Sequence, residues 1–253
     1  MPVHYETHGP VAVVTIDRPD AKNAVDAATA EALGDAWERF DDDDSVDVGV
    51  LTGADGTFSA GADLEKMDLS DGPEGWLGFC RERVEKPMIA AVEGHCVAGG
   101  LEMALWCDLR VAAEGAVFGC FERRFGVPLV DGGTQRLPRA IGTSRALDMI
   151  LTGREVDAAT AQDWGLTNRV VPDGEALDAA VDLAETIAEY PQETVRTDRA
   201  ALYDGLGVPL DRGMEIEAWH GTRSMGIGAE GAARFAGGEG RGGAGVPDGE
   251  DDA

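Results

Sequence analysis

The stretch PMIAAVEGHCVAGGLEMALWCDLRVAA, residues 87–113, decides how the chain is read. PMIAAVEG (87–94) is a short apolar run bounded by a proline and a glycine, the pattern of a buried strand. AGGLEMAL (98–105) reads as a helix entered through two glycines, and LRVAA (109–113) as a second buried strand. Glu102 resists this simple pattern, because it stands among Leu101, Met103, Ala104 and Leu105 in the first turn of a helix that looks buried. A carboxylate there favours the helix dipole. A reciprocal capping box, however, needs Ser or Thr where Gly99 stands. The apolar neighbours suggest a lined pocket instead, and Gly99 and Gly100, lacking Cβ atoms, let the backbone approach a ligand closely.

The alternation extends outward in both directions. VAVVTID (11–17) and DVGVLTG (47–53) read as further buried strands. Between them DAATAEALGDAWERF (26–40) places Ala28, Leu33, Ala36, Trp37 and Phe40 near one helical face, with Asp26 as N-cap. Alternating strands and helices imply an α/β fold with helices packed outside the sheets. The strand-rich part runs to roughly residue 172. Beyond it GEALDAAVDLAETIAEY (174–190) carries Leu177, Val181, Ala184 and Ile187 at helical spacing. Two more helices are expected over 191–206 and 209–225, each opened by a proline. From Gly237 the tail is glycine- and acid-rich, too poor in apolar residues to pack.

Of the 253 residues 43% are hydrophobic, enough for a substantial core. The formal charge is −27, from 48 acidic against 21 basic residues, and the only lysines are Lys22, Lys66 and Lys86. Such a charge repels nucleic acid and anionic membrane surfaces alike. It also strains the compact state unless salt screens it, which points to a salt-adapted cytoplasm. No apolar run approaches the ~18 residues of a membrane span, and the first residues lack the pattern of a secretory signal. A soluble cytoplasmic protein is expected. Cys80, Cys96, Cys107 and Cys120 form no C-x-x-C pair, and His4, His8, His95 and His220 no H-E-x-x-H, so reduced thiols and no metal site are expected.

Two further segments offer chemistry. In FSAGADLEKM (58–67) a Ser-Ala-Gly turn leads into a helix-like stretch, so the amides of Gly61, Ala62 and Asp63 are expected free at a helix start. They either receive developing negative charge or belong to an ordinary turn with Asp63 favouring the dipole. FGCFERRFGVPLVDGGTQRLPRAIG (118–142) supplies Glu122 in an otherwise apolar run and Asp131 before a Gly-Gly pair. Glu122 either pairs with Arg123 or Arg124 or serves a site, and Asp131 either shapes a turn or adds a catalytic group.

Together DRPDAKNAV (17–25), LTGADGTFSAGADL (51–64), VAGGLEMALWCDLRVAA (97–113), GGTQRLPRAIG (132–142) and LTGREVDAATAQDWGLTNRVVP (151–172) resemble the crotonase, or enoyl-CoA hydratase/isomerase, superfamily in order and spacing. The resemblance implies a crotonase-like spiral of ββα units over residues 1–190 and a C-terminal helical oligomerisation region over 191–236, followed by the tail, 237–253. It implies a homotrimer or a dimer of trimers. Its ligand would be an acyl-CoA thioester, coenzyme A being part of the substrate, with no separate cofactor and no metal. The thioester oxygen would meet the amides of Ala62 and Gly99, with Glu102 activating water and Glu122 protonating C2 of the acyl chain. Coenzyme A contacts would fall to Asp20, Ala21, Lys22, Ala60, Ala62, Asp63, Leu64 and Gly99. The chain departs from the pattern at Phe121, where a proline is usual, and at Glu65, where many relatives carry a lysine. The activity so implied is 2-enoyl-CoA hydration. The alternatives are Δ3,Δ2-enoyl-CoA isomerisation or another crotonase-type reaction, and acyl-CoA binding without turnover. Trp76, Leu77 and Phe79 either line the acyl pocket or form helix core.

Overall fold

The computed structural model describes residues 1–237, so the tail beyond Gly237 lies outside the described residues. The strands are β1 (Val3–His8), β2 (Val11–Ile16), β3 (Val48–Gly53), β4 (Met88–Val92), β5 (His95–Val97), β6 (Leu109–Ala113), β7 (Val117–Gly119), β8 (Val156–Asp157) and β9 (Arg169–Val171). The helices are α1 (Ala27–Asp42), α2 (Gly99–Trp106), α3 (Gly133–Ile141), α4 (Thr143–Thr152), α5 (Ala158–Trp164), α6 (Ala176–Ala188), α7 (Gln192–Gly205) and α8 (Leu210–Ala236).

The chain divides into two compact units, Met1–Glu185 and Thr186–Ala253. The first holds a six-stranded sheet in the order β1-β2-β3-β4-β6-β9 and a three-stranded sheet, β5-β7-β8. β1 and β2 form an antiparallel hairpin, and every later pairing in the large sheet is parallel. A parallel strand is covered on both faces, which is why β2, β3 and β4 are continuous apolar runs rather than alternating ones. The repeating unit is visible in β4–β5–α2: a strand of the large sheet, a short strand of the small one, then a helix. β3 leads into the same arrangement, because Ser59 bridges Cys96 in parallel beside β5.

The expected strands and the helix at α1 lie within a residue or two of their positions in the structure. Asp26 caps α1 by accepting the Thr29 amide at 2.9 Å. Trp37 of α1 packs on Phe40, Phe79 and Trp106 with ring centroids 5.3–5.9 Å apart, so Phe79 belongs to the aromatic core. In the second unit α7 and α8 start directly after Pro191 and Pro209 and pack against each other. No helix among the described residues is long and apolar enough to cross a membrane.

Two expectations about the segment after β3 fail. Of the three amides expected free, those of Gly61 and Asp63 are bonded, to Ser59 Oγ at 3.0 Å and to the Val25 carbonyl at 2.8 Å, because the chain runs beside Val25 as an extended bridge and not into a helix. No helix follows Asp63; the chain makes a single turn and runs irregularly as far as β4. The Asp63 carboxylate does accept the amides of Glu65 and Lys66 at 3.1 and 3.2 Å, as a cap would. The residues after it, DLSDGPEG (68–75), have no apolar repeat to bury and carry a Gly-Pro breaker.

Candidate active site

The elements converge on a cavity of about 660 Å³. Asp20, Ala21, Lys22, Ala60, Ala62, Asp63, Leu64, Gly99, Glu102, Glu122 and Asp131, every site residue expected from the sequence, line it.

Two backbone amides lie side by side at its floor. Gly61 has φ +85°, and a Cβ there would overlap the Gly99 nitrogen and lie 2.9 Å from the Gly99 Cα. The crossing is pinned: the Gly61 carbonyl accepts the Val25 amide at 2.8 Å and the Gly61 amide donates to Ser59 Oγ at 3.0 Å. Ala98, at φ 52° and ψ −127°, turns the chain sharply into α2. That conformation is costly for any residue with a Cβ, and such strain concentrates at functional sites. Among the described residues, the amides of Ala62 and Gly99 meet no acceptor of the chain.

Two carboxyls complete the floor. Glu102 is only 3% exposed, and its Oε1 accepts the amides of Asp131 at 2.9 Å and Gly133 at 2.8 Å. These donors come from the entry to α3, so Glu102 joins α2 to α3 rather than capping its own helix. Burial pushes its pKa up to about 7; the charges of Asp131 and Glu122 add to this, and the two amides oppose it. Glu122, 5% exposed, opens a 3₁₀ turn over Phe121–Phe125, and neither of its oxygens has a hydrogen-bond partner among the described residues. Burial raises its pKa as well, opposed by its own amide and the Arg123 charge. The expected alternative, pairing with Arg123 or Arg124, does not occur. Arg123 donates to the Ile150 carbonyl, and Arg124 to that of Gly153 while stacking 3.8 Å over the Phe121 ring. Asp131, 2% exposed, accepts the Trp76 amide at 2.9 Å, and burial raises its pKa too.

The rim carries a charge network that the sequence only partly disclosed. Arg18 Nη2 bridges Asp63 at 2.8 Å and Asp26 at 3.1 Å, and Lys66 also pairs with Asp26. Burial alone would raise Asp26, but hydrogen bonds from Lys66 and Thr29 and the Arg18 charge carry it well below the ordinary carboxylate range. The rim loop takes left-handed conformations at Lys22 and Asn23. Buried Asn23 holds it there by donating to the carbonyls of Ala54 and Thr57 and accepting the Arg18 amide. Arg18 stands in DRPDAKNAV and was recoverable from that motif. Ala98 left no signal, since nothing in its identity betrays a positive φ. Trp76 and Leu77 line the cavity wall, which divides them from Phe79.

The sequence profile of the enoyl-CoA hydratase/isomerase family matches residues 6–224. A probable enoyl-CoA hydratase of Rhizobium meliloti is 40% identical over 220 residues, covering 84% of this chain and 85% of that one. Enoyl-CoA hydratase EchA19 of Mycobacterium tuberculosis is 40% identical over 229 residues, 86% of each chain. The crystal structure of enoyl-CoA hydratase EchA1 from Mycobacterium marinum superimposes with a TM-score of 0.87 at 38% identity, covering 93% of this chain and 95% of that one. Fold, cavity and sequence agree: the chain belongs to the enoyl-CoA hydratase/isomerase family.

Proposed function

We propose that the chain is a 2-enoyl-CoA hydratase, adding water across the C2=C3 bond of an enoyl-CoA thioester. The observation that carries this reading is the meeting, in one cavity, of two buried carboxyls with two amides that have no acceptor among the described residues. The amides of Ala62 and Gly99 donate to the thioester oxygen as it gains enolate-like charge, and each such donor contributes ~2.7–4 kcal/mol of transition-state stabilisation. Glu102, anchored through Oε1, orients the water with its remaining oxygen and takes one proton as the hydroxyl adds to C3. Glu122, whose pKa burial raises and whose oxygens have no hydrogen-bond partner among the described residues, gives its proton to C2. The exchange balances: water supplies OH to C3, Glu122 supplies H to C2, and the proton on Glu102 restores Glu122. Two carboxyls that burial shifts toward the protonated form suit this division of labour.

The coenzyme end is supported by where the lysines fall. Lys86 is buried and donates to the carbonyls of Phe40 and Asp43 at 2.7 Å each, whereas Lys22 and Lys66 line the cavity. A chain of charge −27 that keeps two of its three lysines at one cavity rim is suited to a phosphorylated ligand. Asp20, Ala21, Ala60, Asp63 and Leu64 complete this subsite, and no separate cofactor enters the reaction.

Crotonyl-CoA in molar KCl is the direct test. Its conjugated enoyl absorbance should decay in the presence of the protein. A folded chain that binds CoA thioesters by calorimetry but leaves that absorbance unchanged would exclude the hydratase reading and direct attention to 3-enoyl substrates.

The working assembly in this proposal is a homotrimer or dimer of trimers, built through residues 191–236 around the 1–190 core. It is supported by α8, whose Leu210, Met214, Trp219 and Met225 are 60–80% exposed. A salt-rich, reducing cytoplasm suits the four buried cysteine thiols and the surface charge. Thermal melts should therefore rise steadily with KCl, and dialysis into dilute buffer should cost helical signal. A melting temperature indifferent to salt would remove the salt-adapted part of the reading.

A further inference from the structure

Asp131 is the one buried carboxyl at the cavity that the proposed chemistry leaves without a task. Its side chain faces the irregular segment 71–82, which supplies Trp76 and Leu77 to the cavity wall. The carboxyl accepts the amide of Trp76, the residue next to Leu77 in the wall, at 2.9 Å. Gly75, at φ +93°, passes so close that a Cβ there would overlap Asp131 Oδ1. Two arginines tie the same pair of segments together. Arg81 donates to the Val130 carbonyl at 3.1 and 3.2 Å and to that of Gly72 at 2.9 Å. Arg136 donates to the Asp131 carbonyl at 2.8 Å and to that of Cys80 at 2.6 Å. On its other side the Asp131 backbone amide donates to Glu102 Oε1 at 2.9 Å.

One residue thus grips the cavity wall with its side chain and the reacting carboxyl with its backbone. We infer that Asp131 is a positioning and specificity-determining residue, a latch that fixes the Trp76–Leu77 wall relative to Glu102, and not a proton donor or acceptor. Its carboxyl is committed to the Trp76 amide, which has no other acceptor of the chain among the described residues, and it acts alongside the Arg81 and Arg136 ties between the same segments. The wall then decides how much acyl chain fits beside the reacting carbons. This inference rests on the hydratase reading for its kinetic part only.

Asp131→Asn keeps a carbonyl oxygen for the Trp76 amide and removes the carboxyl; Asp131→Ala removes both. With crotonyl-CoA and a longer 2-enoyl-CoA as probes, Asp131→Asn should keep kcat within about fivefold of the parent. Asp131→Ala should raise KM by about tenfold or more and draw the kcat/KM values of the two substrates together. Gly75→Ala, with Asp131 intact, should reproduce the alanine phenotype, which covers the case of an Asp131→Ala that fails to fold. Hydrogen exchange gives a readout that needs no turnover: the amides of residues 74–78 should exchange faster in Asp131→Ala and Gly75→Ala, and at the parental rate in Asp131→Asn. An Asp131→Asn variant that folds and keeps slow exchange yet loses about a thousandfold in kcat would overturn the latch and make Asp131 a proton-transfer group. Unchanged exchange in both Asp131→Ala and Gly75→Ala would overturn it as well, whatever the substrate proves to be.

Discussion

Replacing Glu102 by glutamine is expected to lower kcat on crotonyl-CoA by about a thousandfold and, in the same protein, to make unfolding harder above neutral pH. The rate falls because an amide cannot take the proton of water as its oxygen adds to C3. The stability rises for a separate reason. Glutamine keeps an oxygen where Oε1 accepts the amides of Asp131 and Gly133, so the join between α2 and α3 survives. What it removes is a carboxyl whose pKa burial has pushed up to about 7. A carboxyl with a raised pKa holds its proton more firmly folded than unfolded, so the folded state binds more protons between the ordinary carboxylate range and neutrality. That contribution to stability is complete at low pH and is lost as pH rises through 7, at a cost of up to roughly 3 kcal/mol. The gap between variant and parent should therefore widen from pH 5 to pH 8 in thermal melts at fixed molar salt. Parallel curves would mean that Glu102 does not carry the raised proton. Turnover of the variant at the parental rate would mean that no water is activated there, as in an isomerase that needs Glu122 alone. Glu122→Gln should lose a similar factor in rate, because an amide has no acidic proton to give to C2.

The opposed effects in Glu102→Gln explain why a charge stands in AGGLEMAL at all. Its sequence neighbours are those of a core helix, and Leu101, Met103 and Ala104 are indeed almost fully buried. A carboxyl among them is a local contradiction, and such contradictions mark functional positions. This was legible from residues alone, as were the Asp26 cap and the continuous apolar strands that make a parallel sheet. Other features were not. β5 and β7 are three residues each, too short for any period to register. The false helix after Asp63 arose because a capping residue marks where a helix can start, whereas only a buried apolar stripe makes one persist. The pairing of Arg123 or Arg124 with Glu122 was plausible by adjacency. The tight turn after Cys120 instead sends both guanidinium groups toward the end of α4, where carbonyls of Ile150 and Gly153 receive them. The wall formed by Trp76 and Leu77 is set by contacts with residues more than fifty positions away, which no local pattern encodes.

Gly61→Ala tests the other half of the site and should cost about a hundredfold to a thousandfold in kcat. The methyl group has nowhere to go. It would overlap the Gly99 nitrogen and sit 3.2 Å from the Ala98 Cβ. Residue 61 cannot yield either, since its carbonyl is bonded to Val25 and its amide to Ser59 Oγ, which in turn donates to the Asn23 carbonyl at 2.8 Å. The strain must be relieved by moving the Ala98–Gly99 turn away, which parts the two amides that are to hold the thioester oxygen. The proposed coenzyme contacts along Lys22 and Lys66 lie at the rim and should survive, so affinity for a saturated acyl-CoA should change far less than kcat. Alanine at φ +85° also carries a backbone penalty of ~1 kcal/mol or more, which by itself affects folding and not chemistry. Gly9→Ala separates the two, because Gly9 has φ +56° with open space around it in the β1–β2 turn. It should lower the melting temperature comparably and leave turnover untouched. If Gly61→Ala instead behaves like Gly9→Ala, folded and active, then the paired amides of Ala62 and Gly99 are not what polarises the substrate, and the enolate-forming mechanism loses its electrostatic support.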